Sequence, residues 1–133
     1  MTHASWFHAI AVDYDGTLTT HGRVDSEVLD ALGRWRSRGA KVILVTGRIV
    51  DELLQVFPAV HHHVDLVIAE NGSVLSDGDG TRLLARPVDE SLAEALTTQG
   101  VPHRRGEAIL ATHEAFEGPI EIANTEVSSG QDP

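Results

Sequence analysis

Two aspartates spaced two apart, Asp13 and Asp15, stand in the run Asp13-Tyr14-Asp15-Gly16-Thr17-Leu18-Thr19, directly after the mostly apolar Phe7-His8-Ala9-Ile10-Ala11-Val12. Two carboxylates at this spacing, just off a strand, can divide the labour of phosphoryl chemistry. One attacks phosphorus to form an aspartyl-phosphate; the other protonates the leaving oxygen and later activates water. Their combined negative charge favours a hard cation such as Mg²⁺, which shields the phosphoryl oxygens from the nucleophile. Gly16 lets the backbone turn tightly, and a hydroxyl at Thr17 or Thr46 can donate to phosphate. Taken alone, Asp-x-Asp-Gly reads equally well as a polar turn after a strand, because Asp and Gly are common turn formers.

The surrounding elements decide where such residues would lie. Phe7–Val12 is short and apolar and ends in polar residues, the pattern of a buried strand in a parallel sheet. Asp15 to Gly22 reads as a loop. Asp25 or Ser26 can cap a helix to about Arg38, with Val28, Leu29, Leu32 and Trp35 on one face and Gly39 as its stop. Lys41–Val45 is a second buried strand, ending at Thr46-Gly47-Arg48. A shorter helix from about Ile49 to Phe57 stops at Pro58, and Asp65–Ala69 is a third strand. Strand–helix–strand–helix–strand with short connections predicts an α/β fold with a doubly wound parallel sheet, a partial Rossmann-like core over 1–70. In such sheets ligands bind beyond the carboxyl ends of the strands, where Asp13–Thr17 and Thr46–Arg48 both fall.

From Asn71 the rhythm changes. Ser73–Leu75 and Thr81–Leu84 flank Ser76-Asp77-Gly78-Asp79-Gly80, a hairpin signal. A helix from about Asp89 to Thr98 follows, then a candidate strand at Ala108–Ala111 and a polar tail over 118–133.

Composition narrows the class of protein. A chain of 133 residues suits one compact domain, or one plus a small excursion. Hydrophobic residues at 41% and charged residues at 23% match a folded, water-soluble domain rather than a disordered one. The net charge of −10 argues against binding nucleic-acid phosphates. No cysteine is present, which removes disulfides, thiolate metal sites and cysteine nucleophiles together. The first residues carry no basic stretch followed by an apolar run, and no segment reaches the roughly 18–20 apolar residues that cross a bilayer. A cytoplasmic location, without membrane association, is the expectation.

The Asp-x-Asp-Gly-Thr-Leu run after an apolar strand, with a second strand closing on Thr46, resembles the haloacid dehalogenase superfamily of phosphohydrolases over roughly residues 7–113. Ala69-Glu70-Asn71-Gly72 followed by a hairpin resembles its Cof-like subgroup, in which a mobile α/β cap is inserted at that point. The resemblance implies a Mg²⁺-dependent phosphatase of a small phosphorylated metabolite, such as a sugar phosphate or phosphoglycolate. It makes Asp13 the nucleophile and a metal ligand, and Asp15 the general acid/base that lends its backbone carbonyl to the metal. Gly16, Thr17, Thr46 and Gly47 fall at the phosphoryl group, and Arg48 and Asn71 near the cap hinge and the substrate. Residues 71–117 are then a partial cap.

The family completes its site with a later Lys and an acidic pair. Here Lys41 is the only lysine and begins the second strand, at its far end from Thr46. Asp77 and Asp79 are explained more simply by a hairpin turn than as that pair. An inactive domain serving as a binding or oligomerisation module is therefore the rival expectation. The family's further strands would pair beside the first strand, so its edge would be covered by the tail, by a second copy in a homodimer, or by a complementing polypeptide. Three further features have plain explanations: His61-His62-His63 as a solvated loop, Arg104 and Arg105 as exposed loop charges, and Trp6 and Trp35 as packing residues.

Overall fold

The computed structural model describes residues 7–112. Trp6 and the tail over 118–133 lie outside the described residues. The chain divides into two compact units, at Leu84 and Ala85.

The first unit is built on a five-stranded sheet in the order β1-β4-β5-β6-β7, from Ala9–Asp13, Lys41–Val45, Leu66–Ala69, Val74–Ser76 and Thr81–Leu83. The first three are parallel; β6 and β7 are antiparallel and form the expected hairpin, which joins the same sheet. Asp77 shapes its turn by accepting from the N–H groups of Asp79 and Gly80 at 3.0 and 3.2 Å. Helix α1, Ser26–Ser37, links β1 to β4; its N-cap Asp25 accepts from Glu27 N–H at 2.9 Å, and Gly39 beyond its end takes a φ of 90°. Helices α2, Val50–Val56, and α3, Val60–His63, link β4 to β5. Val42, Leu44, Leu53, Val60, Val67 and Val74 are buried and form the core against which the sheet is set.

Three readings of the sequence need correction. The first strand is half-exposed rather than buried: Phe7 is 68% exposed, and Ala9 and Ala11 face solvent. Among the described residues β1 pairs with β4 alone, and none of them pairs with its other edge. The stretch after Asp13 is not a simple loop. Tyr14–Leu18 forms a wide turn closed by Thr19 N–H on the Tyr14 carbonyl, followed by a small hairpin of β2, Thr19–Thr20, and β3, Arg23–Val24. His21 and Gly22 turn it with φ of 52° and 76°, two positive values in succession as a tight hairpin requires. Finally, His61–His63 lies in a helical turn. His61 Nε2 pairs with the buried Ser76 hydroxyl at 3.0 Å, and His63 stacks on Phe57 at 5.7 Å.

The second unit holds helix α4, Glu90–Thr98, capped by Asp89 on Ser91 N–H at 2.8 Å, and a ribbon of β8, Arg104–Arg105, with β9, Leu110–Ala111. Leu96 and Val101 form its small core with Leu92, Ala95 and Leu110. Arg104 and Arg105 are exposed but belong to a strand rather than a loop, and Arg105 makes an ion pair with Glu90.

Candidate functional site

Strand register places the candidate residues. Asp13 pairs with Val45 and Val45 with Ile68, so β1, β4 and β5 end level with one another. Three loops leave this one carboxyl edge: Tyr14–Leu18, Thr46–Arg48 and Glu70–Gly72. Parallel strands force this convergence, because every crossover returns the chain to the opposite end of the sheet.

Asp13 ends β1 with its side chain at the exposed edge, and one oxygen accepts the Tyr14 N–H at 2.8 Å. The wide turn then carries Asp15 outward and back across to the second loop. There the Arg48 guanidinium grips it with two of its three nitrogens: Nε to Oδ2 and Nη2 to Oδ1, each 2.9 Å, with Nε also 3.2 Å from Oδ1. These hydrogen bonds hold the Asp15 carboxyl below its ordinary value, with burial acting the other way. Arg48 is raised by the same contact. The Arg48 head also lies 5.4 Å from the centre of the buried Tyr14 ring, which stacks on Phe57 at 6.4 Å. Burial pushes the Tyr14 hydroxyl up; Arg48 opposes this and Asp15 adds to it. Side-chain exposure of 38% for Arg48 and 56% for Asp15 leaves the pair open to water, where such contacts contribute roughly 0.2–1 kcal/mol.

Gly16 takes a φ of 77°, a region L-residues avoid, and lets the turn close. Its N–H donates to Thr19 Oγ1 at 3.2 Å, and that hydroxyl donates to the Tyr14 carbonyl at 3.3 Å. Thr17 sits exposed on the turn. Thr46 is buried directly beyond the β4 end, its Oγ1 accepting the Arg48 N–H at 3.0 Å. Gly47 is exposed and lies against the Asn71 side chain.

Asp13, Asp15, Gly16, Thr17, Thr46, Gly47, Arg48 and Asn71 thus share one edge of one sheet. Two residues were not singled out by their types alone. Tyr14 occupies the variable position of Asp-x-Asp, and only the fold reveals that its ring supports Arg48. Thr19 is the second hydroxyl of Gly-Thr-Leu-Thr, spaced so that it can return to the turn. For a metal ion, Asp13 offers a hard carboxylate oxygen, whereas the Asp15 carboxylate is already engaged. Among the described residues no three His, Cys, Asp or Glu side chains gather as a metal cage. No helix among them is long and apolar enough to cross a membrane.

Residues 10–121 match the family of haloacid dehalogenase-like hydrolases, and the chain belongs to that family. YxeH of Bacillus subtilis (strain 168), a protein provisionally described as a phosphatase, is 35% identical over 74 residues, covering 53% of this chain and 27% of YxeH. The solved structure of a haloacid dehalogenase-like hydrolase from B. subtilis superposes with a TM-score of 0.54 at 30% identity, over 71% of this chain and 33% of that one. The fold is also shared with the subclass IIB sugar phosphatase BT4131, at a TM-score of 0.55 and 22% identity, covering 85% of this chain and 49% of the other. The chain spans less than half the length of each of these relatives.

Proposed function

We propose that this chain supplies the nucleophile-bearing part of a phosphate monoester hydrolase site acting on small phosphorylated metabolites. The observation that carries the reading is the level ending of β1 and β4, which sets the exposed Asp13 carboxylate beside the Thr46–Arg48 turn with Asp15 reaching across to it. In this reading an Asp13 carboxylate oxygen attacks phosphorus, and the phosphorus–oxygen bond to the leaving group breaks. Asp15, having taken up a proton from solvent once released from Arg48, gives it to that leaving oxygen. Asp15 then accepts a proton from water, whose oxygen attacks phosphorus and releases Asp13.

The Asp15–Arg48 pair sets a condition on this sequence. A carboxylate held by two guanidinium nitrogens is an acceptor, so it acts as an acid only after Arg48 lets go. The pair is weak and half-exposed, and a phosphoryl dianion offers the same bidentate geometry to Arg48. Exchange of one partner for the other frees Asp15 as substrate arrives.

The donor chemistry fits Mg²⁺, which is commonly held by one or two carboxylates together with waters and substrate phosphate. The Asp13 carboxylate and the Asp15 main-chain carbonyl would hold it. When bound, the ion neutralises phosphoryl charge that would otherwise repel Asp13. We assign the unit from Ala85 onward to the cap expected over 71–117.

The test is turnover of para-nitrophenyl phosphate by the purified chain with and without Mg²⁺, beside an Asp13→Asn variant. Metal-dependent turnover that the variant abolishes supports the reading. A folded chain that turns over nothing sinks it for this chain acting alone, and a fully active variant sinks it outright.

A further inference from the structure

The loop Glu70–Gly72 is the least relaxed part of the carboxyl edge. Its three residues take φ of 51°, 57° and 93° in succession, and two of them are not glycine. Left-handed backbone is uncommon for such residues, with Asn among the more tolerant. The loop is fastened onto its neighbour at both ends of Gly47. Glu70 N–H donates to the Arg48 carbonyl at 3.0 Å, and Asn71 N–H to the Thr46 carbonyl at 3.4 Å. Between them the Asn71 side chain lies across Gly47 so closely that a Cβ at position 47 would stand 2.8 Å from Asn71 Oδ1, nearer than such atoms are found. Glycine at 47 and a left-handed Asn at 71 therefore form a matched pair.

Arg48 begins one residue further on, and its guanidinium fixes Asp15. We infer that Asn71 is a positioning residue: packed on Gly47, its side chain sets the Thr46–Arg48 turn and so aims the Arg48 guanidinium at Asp15. Its importance for catalysis rests on the phosphoryl-site reading above; the mechanical link does not. Glycine at 71 would take the left-handed conformation but remove the atoms that lie against Gly47, so the planar Cγ–Oδ1 head of the side chain has the role.

The test follows the Arg48 Nε–H resonance in ¹⁵N-labelled whole chain, identified by its loss in Arg48→Lys. Asn71→Gly keeps the backbone conformation accessible and removes the side chain. It is expected to move that resonance, speed its exchange with solvent, and weaken severalfold any response to added inorganic phosphate. Asn71→Asp, which keeps the shape and an oxygen, is expected to restore the resonance. Gly47→Ala should move it in the parent chain but add nothing in an Asn71→Gly background, since the clash is then gone. An unmoved Arg48 resonance in Asn71→Gly overturns the inference, as does a Gly47→Ala effect equal in both backgrounds. Should Asn71→Gly not fold, Gly47→Ala decides alone, and an unmoved resonance there overturns it too. Indifference of the parent chain to phosphate counts against the phosphoryl-site reading only, and leaves the Arg48 comparison standing.

Discussion

Removing the Asp65 carboxylate should destabilise the first unit by about 2–3 kcal/mol at neutral pH. The β4–β5 ladder begins at Ile43 and Leu66, so the Val42 N–H one residue earlier faces β5 without a ladder partner. Asp65 Oδ2 accepts it at 2.8 Å, and Val42 is completely buried. A hydrogen bond to a charged acceptor contributes about 1.5–3 kcal/mol, and a buried N–H stripped of it has no water to turn to. The second Asp65 oxygen meets Arg36 Nη2 at 3.2 Å, with side chains 25% and 33% exposed, which adds roughly 0.2–1 kcal/mol. Asp65→Ala loses both contacts and Arg36→Ala only the weaker, together with a bond to the His62 carbonyl. Asp65→Ala should therefore cost at least about 1 kcal/mol more in urea unfolding.

The sign of the pH dependence follows from the same contacts. Burial pushes the Asp65 carboxyl up, but the Val42 N–H and the Arg36 guanidinium outweigh it and leave it below its ordinary value. A depressed value means that the contribution is present above the unfolded value, about 3.9, and is lost as pH falls through the folded one. The gap between parent and Asp65→Ala should accordingly be full at pH 7 and shrink below about pH 4. Equal costs for the two variants, or a gap that does not narrow in acid, would refute the reasoning.

Other consequences can be checked in the same unfolding assay. Ser76→Ala leaves His61 Nε2 without its partner beside a buried Nδ1 that has no hydrogen-bond partner among the described residues, and should cost about 1–3 kcal/mol; adding His61→Leu should recover much of it. Leu53→Ala, at a site 1% exposed, should cost about 2–5 kcal/mol without moving the urea slope. Arg48→Lys cannot reproduce the two-nitrogen grip on Asp15, so phosphate affinity should fall severalfold while stability changes by less than about 1 kcal/mol, read by titration and urea melts together.

The sequence revealed the parts of this architecture that depend on local pattern. β-branched runs marked β4 and β5, Asp25 and Gly39 bracketed α1, and the Asp77–Gly80 turn announced the β6–β7 hairpin. The candidate site was legible because a parallel sheet sends consecutive loops to one edge. Tertiary effects were not legible. The exposure of β1 depends on which strands flank it, and an apolar run reads the same in either setting. The Arg48 grip on Asp15 joins residues whose contact no period encodes. The β2–β3 hairpin was not legible, because His21-Gly22 is a weaker turn signal than Asn-Gly, although its positive φ pair is the same device. Three consecutive histidines read as a polar loop, whereas the buried Val60 and Val64 on either side anchor them in a helical turn.

The central claim is that Asp13 takes the phosphoryl group. Peptide mass spectrometry of the chain, acid-quenched during incubation with para-nitrophenyl phosphate and Mg²⁺, measures this directly. One hydroxylamine-sensitive phosphoryl group on the Asp13 peptide, absent from Asp13→Asn, is the predicted result; turnover with that peptide unmodified, or with the label on another residue, would contradict it.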